Sequence, residues 1–286
     1  VIGGIDKSIA DKLNLPDHIK IIQGAIDAHT ALLGMGITRP KELGMIMGSS
    51  FVHLALSENP IFNEGLWGPY ENAVINNYWL LEGGQTSGGS INRWFRDNFA
   101  KDLKENAFQK LSEEASNIPP GSEGLVVLDF WQGNRTPYKD PLLKGNIYGL
   151  RLLHTRGHIY RAILEGVAFG TKKIINTIEK NNYEIDKLIV CGGGSKDNLW
   201  LQIISDVTGL DIYKTNHDEA GIMGTAVISA YGTDYYKNMD EAVNNMIKLK
   251  KTHTTNKENH QKYKKYYKKY DDLCNKLIPE MDKDIE

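Results

Sequence analysis

The chain has little that would mark a secreted, membrane-spanning or metal-centred protein. Only two of its 286 residues are cysteines, Cys191 and Cys274. Two are too few for a disulfide framework and do not form the paired spacing of a zinc site, so a reduced cytoplasm is the expected setting. No apolar run approaches the roughly 20 residues that a membrane span needs, and no signal peptide is present. The formal net charge is -2, which gives no support for general nucleic-acid binding. There is no Walker A pattern, no G-x-G-x-x-G and no H-E-x-x-H. Neither a P-loop NTPase, nor a dinucleotide enzyme, nor a metal site built from protein ligands alone is therefore expected. No internal repeat is evident. The chain opens at Val1 without an initiator Met, on residues that read like interior sequence. We expect it to be one part of a longer product.

What is present is an alternation of strands and long helices, which argues for an α/β fold. The spacing of Ile5, Ile9 and Leu13 predicts a helix over 5–14. Residues 18–26 read as a buried strand with Asp27 at its end, and 28–35 as a short helix. Strands at 43–47 and 51–56 form a hairpin by spacing. Residues 58–80 read as an irregular or short-stranded excursion. The glycine-rich segment 83–89 leads into one helix over 90–109. Pro119-Pro120-Gly121 breaks the chain, followed by a strand at 125–129 and a loop at 131–140. A helix at 158–180, a strand at 187–191, a helix at 197–208, a strand at 211–213 and a helix at 221–231 complete the alternation. The lysine- and tyrosine-rich tail could be a nucleic-acid or membrane arm. The helical spacing of Tyr263, Tyr266, Tyr267, Tyr270, Cys274 and Leu277 instead predicts an apolar stripe, with the lysines on the solvated face.

The segment Leu188–Trp200 carries the most information. It reads as a β-branched strand, the turn Gly192-Gly193-Gly194, and a helix with Asp197 or Asn198 near its start. Bare backbone ahead of a helix N-terminus is a surface on which a nucleotide can lie flat. The hairpin tip Gly48-Ser49-Ser50 offers N–H groups and hydroxyls to phosphate oxygens. Asp27, in a run of small residues, is a candidate proton acceptor for a substrate hydroxyl; its bland alternative is to cap the following helix. His29 by itself reads as a packing histidine. Glu82-Gly83-Gly84-Gln85 reads as a polar loop facing a sugar, or only a loop.

The order of these pieces, together with Gly145-Asn146-Ile147-Tyr148-Gly149-Leu150, His158 to Phe169, the segment 191–209 and Asp218 to Ala226, resembles the FGGY family of carbohydrate kinases. The resemblance runs from near the end of that family's N-terminal domain to the C-terminus. It implies an actin-like ATPase (ribonuclease H-like) fold. Residues 1–36 would end the N-terminal domain, 37–235 would form the C-terminal nucleotide-binding domain, and 236–286 a helical tail. It also implies that Asp27 is the catalytic base and that Gly48, Ser49, Ser50, Gly89, Gly192, Gly193, Gly194 and Asn198 border the nucleotide. Asp27, Ala28, His29 and Glu82 would then face the sugar. The cofactors would be ATP and Mg²⁺, with no metal site from the protein alone. The motifs at 24–29, 67–70, 82–85 and 132–141 look like the ribulokinase-type branch, so a ketopentose is the expected substrate. A homo-oligomer is compatible with the family. The family's first phosphate loop, in the N-terminal domain, is absent, so this chain alone should bind nucleotide weakly and turn over negligibly. The contrasting reading is a non-catalytic actin-like nucleotide-binding or regulatory protein.

Overall fold

The computed structural model describes residues 1–281. Its centre is a seven-stranded mixed sheet. In chain order the contributing strands are β3 (Glu42–Met47), β4 (Phe51–Ser57), β5 (Trp67–Glu71), β6 (Trp79–Gln85), β9 (Lys187–Cys191), β10 (Ile212–Thr215) and β11 (Leu249–His253). Across the sheet the order is β11-β10-β9-β3-β4-β6-β5, with β3, β9 and β10 parallel and the other pairings antiparallel. Two small ladders lie outside it, β1 (Gly3–Gly4) with β2 (Lys20–Ile21), and β7 (Val126–Leu128) with β8 (Asn146–Tyr148).

Alternation along β3 and β4 sends side chains to two helical layers. Leu43, Met45, Met47, Phe51 and Ala55 face a core built with α5 (Arg156–Ile178) and α6 (Asn198–Thr208). Leu54, Leu56, Leu80 and Ile189 face the opposite layer, which begins with α2 (Asp27–Gly34). α2 crosses α7 (Ala220–Gly232) with backbone against backbone. A Cβ on Gly34 would sit 1.8 Å from the Ala220 carbonyl oxygen, and one on Gly224 1.8 Å from that of Thr30. No side chain fits either position, and the crossing holds the last turn of α2 against the first turn of α7. The short helix α8 (Met239–Met246) packs on α7, while α1 (Lys7–Leu13) precedes β2.

The tail helix α9 (Lys257–Met281) packs on α5, α6 and β7 rather than on residues 1–36. Its stripe is the expected one: Tyr263, Tyr270 and Cys274 are buried, and Leu273 with them. Two buried carboxylates anchor it. Glu165 accepts from Tyr263 Oη at 2.8 Å, Arg161 Nε at 2.9 Å, Ser122 Oγ at 2.9 Å and the Gly121 amide at 2.9 Å. Asp129 accepts from Tyr270 Oη and from Gln85 Nε2, both at 2.7 Å. Burial outweighs these two hydrogen bonds and pushes the Asp129 carboxyl up to about 6. No helix among the described residues is long and apolar enough to cross a membrane.

Four expectations change. Residues 18–26 are not a buried strand: only Lys20–Ile21 pairs, with two residues of β1, and Ile21 and Ile26 stay exposed. Asp27 accordingly opens a helix instead of ending a strand. The single helix over 90–109 is two, α3 (Gly89–Phe99) and α4 (Ala107–Ser116), because Lys104 and Asn106 take positive φ between them. Glu82–Gln85 lies within β6 and is not a loop. The tail segment also contributes more than helix, since β11 forms the sheet's edge.

Two outcomes follow for the chain itself. Gly224→Ala should cost about 1–3 kcal/mol or more in urea unfolding, since neither helix backbone can yield without opening the crossing; an unchanged midpoint would contradict that packing. Asp129 has a raised folded pKa, so its stabilising contribution is present below about pH 4 and is lost as pH rises through about 6. Asp129→Asn should therefore be more stable than wild type at pH 8, by on the order of 1–3 kcal/mol, with the gain vanishing by about pH 4. A deficit at every pH would contradict this.

Candidate functional site

Three turns, far apart in sequence, meet at the ends of β3 and β9. The first is the β3–β4 hairpin tip. The Gly48 carbonyl accepts from the Gly89 amide at 3.1 Å, and the Ser49 carbonyl accepts from the amides of Gly88 at 2.9 Å and Ser90 at 3.0 Å. The hairpin is thus sewn to the start of α3. Gly89 must be glycine, because a Cβ there would lie 2.6 Å from the Gly48 carbonyl oxygen. The third turn follows β9. Gly192 has φ +89°, and a Cβ on it would lie 2.9 Å from the Met47 carbonyl oxygen, so only glycine lets β9 turn against β3 here. A one-turn 3₁₀ segment, Gly193–Lys196, leads to α6. Asp197 caps that helix by accepting from the Trp200 amide at 3.1 Å, and it is itself fixed by Ser112 Oγ at 2.6 Å.

Between these turns and α4 lies a cavity of about 1080 Å³. Gly48, Ser49, Gly89, Gly193, Gly194 and Asn198 all line it. Nothing stands within 4 Å of the Cβ that Gly193 lacks, so its backbone faces open space. The buried Asn92 lies at this cavity's wall, and its Oδ1 has no hydrogen-bond partner among the described residues. Arg93, Arg96 and Lys196 supply positive charge at the same wall. Two expected members fall outside. Ser50 is exposed beyond the rim, and Gly192 lines instead a smaller cavity of about 230 Å³ with Lys214 and Glu219. There Lys214 Nζ donates to the Ser195 carbonyl at 3.0 Å and braces the glycine turn.

Asp27 is the first residue of α2 and is exposed. It does not act as the helix's cap: Ile26 holds that position without a side-chain bond, and Asp27 Oδ1 accepts only from the neighbouring Ala28 amide, at 2.7 Å. One turn of α7 stands next to it, with Gly221 beside the Asp27 carbonyl. Glu219, just ahead of that turn, belongs to the smaller cavity. Ala28 packs partly into the α2 layer. His29 and Glu82 are brought together: His29 Nε2 lies 3.5 Å from Glu82 Oε2. The His29 hydrogen bond and, with it, Arg135 hold the Glu82 carboxyl below the usual range, against the opposing effect of burial. Arg135 donates to Glu82 Oε1.

Several cavity residues carried no local signal in the sequence. Asn92, Arg96, Ser112 and Glu113 sit on helix faces that read as ordinary amphipathic pattern, and the break between α3 and α4 is what turns them inward. Arg135 lay inside a noted motif, but nothing in its spacing tied it to Glu82. Among the described residues no group of three or more His, Cys, Asp or Glu could hold a metal ion. The open glycine backbone and the nearby cations do fit a nucleotide.

Comparison with known proteins places this geometry. The family model for the C-terminal domain of the FGGY family of carbohydrate kinases matches residues 43–233. The ribulokinase of Halalkalibacterium halodurans is 34% identical over 261 residues, covering 87% of this chain and 46% of the relative. That of Shouchella clausii is 35% identical over 237 residues, covering 80% and 42%. The chain thus spans less than half the length of these relatives. Among solved structures, xylulose kinase from Rhodospirillum rubrum superposes with TM-score 0.89 at 24% identity, covering 98% of this chain and 56% of that one. Plasmodium falciparum glycerol kinase with ADP superposes with TM-score 0.74 at 21% identity, covering 93% and 52%. These likenesses fix the fold as that of the actin-like sugar kinases, and with the family match over most of its length the chain belongs to the FGGY family of carbohydrate kinases, whose C-terminal portion it carries.

Proposed function

We propose that this chain is the C-terminal part of an ATP-dependent kinase that phosphorylates a hydroxyl of a ketopentose such as ribulose. One observation carries the nucleotide half of the reading: Gly48, Ser49, Gly89, Gly193, Gly194 and Asn198 converge on one cavity. Adenosine would lie along the Gly193–Gly194 backbone and the start of α6. The Gly48 and Ser49 N–H groups and the Ser49 hydroxyl would hold phosphate oxygens. Mg²⁺ would be carried by the phosphates, since the described residues offer no site for it by themselves. Gly192 and the smaller cavity would flank the phosphates from the other side.

Asp27 is the base in this reading. Its exposed carboxylate accepts from the Ala28 amide and makes no ion pair with another side chain among the described residues, which leaves acceptor positions for a hydroxyl proton. It would take the proton of the sugar hydroxyl as that oxygen attacks the γ-phosphorus in line, while the ATP β-phosphate oxygen leaves with its bonding pair. Glu82, with His29 behind it, would accept hydrogen bonds from other sugar hydroxyls, and Ala28 leaves room beside them. The ketopentose assignment leans on the ribulokinase relatives and the motifs shared with them.

Residues 1–26 support the reading that another domain belongs here. Ile2, Ile9, Leu13, Leu15, Ile21 and Ile26 are all more than two-fifths exposed, six large apolar side chains left uncovered within 26 residues. An N-terminal domain covering it would complete the cleft, bring further phosphate contacts and exclude water by closure. The setting would be the cytoplasm.

The test is ADP release by the full-length enzyme with Mg·ATP across D-ribulose, L-ribulose, xylulose, ribitol, erythrulose and glycerol. One ketopentose should stand out. Asp27→Asn should lower its kcat by about 10²–10⁴-fold and leave the affinity for Mg·ATP nearly unchanged. Full turnover by Asp27→Asn, or silence across the panel with ATP still bound, would contradict the assignment.

A further inference from the structure

We infer that Arg135 is a positioning residue of the sugar site, acting through Glu82 to fix the direction in which that carboxylate presents its free lone pairs. The inference rests on the reading that Glu82 faces the sugar.

Glu82 projects from β6 on the α2 side of the sheet, between β4 and β5. Its two oxygens have different partners on different elements. Oε1 accepts from Arg135 Nη2, in the loop after β7, and Oε2 faces His29 Nε2 of α2 at 3.5 Å. A carboxylate has about four acceptor positions, so two engaged ones leave roughly one per oxygen for hydroxyl donors. The pair of contacts therefore orients the group without using it up. His29 alone would leave it free to rotate.

Arg135 is itself held in two ways. Its guanidinium lies over the Trp67 ring, 4.9 Å from the centroid, and Lys139 approaches the same ring at 5.7 Å. The next residue, Thr136, clamps the loop to β6: its amide donates to the Gly84 carbonyl at 3.1 Å, and the Gly84 amide donates to its Oγ1 at 3.2 Å. Gly84 also makes room, because a Cβ there would stand 2.9 Å from Arg135 Cδ. The glycine in β6 that looked like loop composition thus lets the arginine run across the strand to reach Glu82. A lysine could not replace it fully, since a point charge neither stacks flat on the indole nor holds the same fork geometry.

The electrostatic consequence has a definite sign. Of the ionisable groups facing Glu82, His29 from α2 and Arg135 from the loop both favour the ionised carboxylate, and Tyr70 of β5 lies behind His29 with ring centroids 6.3 Å apart. Removing Arg135 raises the pH at which Glu82 ionises, so the acid limb of sugar kcat/KM moves up.

The experiment uses the full-length enzyme with its preferred ketopentose. Glu82→Gln is the reference and should raise sugar KM by about tenfold or more. Arg135→Ala should do the same, shift the acid limb of kcat/KM to higher pH, and change KM for ATP by less than about twofold. Arg135→Lys should return the acid limb towards wild type without restoring sugar KM. Gly84→Ala, which removes no charge, should raise sugar KM by displacing the guanidinium. If Glu82→Gln raises sugar KM while Arg135→Ala moves neither KM nor the acid limb, the positioning role is overturned. A lowered melting temperature and lowered kcat without either movement would assign Arg135 to folding alone and overturn it too. If Glu82→Gln leaves sugar KM unchanged, Glu82 does not face the sugar and the inference falls with that premise, while Asp27→Asn still decides the kinase reading.

Discussion

Backbone lying directly against backbone is the constraint on which this molecule depends. At Gly89 against Gly48, at Gly192 against Met47, and at Gly34 and Gly224 across the α2–α7 crossing, the space for a Cβ is already filled by a carbonyl group. The first two contacts bring a hairpin tip, a helix start and a strand end into one wall. The third packs the last turn of α2, from Thr30 to Gly34, against the first turn of α7, one turn on from Asp27. Bare amides and carbonyls are fixed in place without side chains between them. That is the requirement for a surface that accepts a flat base and several phosphate oxygens. The cavity of about 1080 Å³ is the space beside the first two contacts, closed by α3, α4 and α6.

The polar interior serves this geometry from behind. Asp129 joins β6, through Gln85, to the tail helix, through Tyr270, and Gln85 in turn accepts from Thr171 of α5 at 2.9 Å. β6 therefore has its C-terminal end locked to two helices on one face, while three residues earlier Glu82 emerges on the other. A lysine-rich tail that could pass for a nucleic-acid arm is, on its apolar stripe, part of the domain's structure. Its charges point outward because its tyrosines point in.

Much of the fold was legible because its signals are local. The alternation of strands and helices, the hairpin around Gly48–Ser50, the turn at Gly192–Gly194 and the tail's stripe all depend on residues within a few positions of one another. The misread segments depend on partners. Residues 18–26 are apolar enough for a buried strand, yet burial comes from neighbours, and only two residues of β1 pair with them. Glu82–Gln85 looks like a loop by composition, but β4 and β5 on either side make it a strand, and its glycines make room for Arg135 and Ile174. The break between α3 and α4 rests on positive φ at Lys104 and Asn106, which helical periodicity does not register. Of the candidate site, Gly48, Ser49, Gly89, Gly193, Gly194 and Asn198 line one cavity. Ser50 and Gly192 do not line that cavity, and Arg135 became visible only through its contacts.

The most direct test of where the nucleotide lies is a heteronuclear NMR titration of this chain with Mg·ADP, which detects even weak binding. Amide shifts concentrated at Gly48, Ser49, Gly89, Gly193, Gly194 and Asn198, with the α9 amides unmoved, are the expected result. Saturating Mg·ADP that leaves those six amides in place, or shifts a different surface, would contradict the assignment of the cavity.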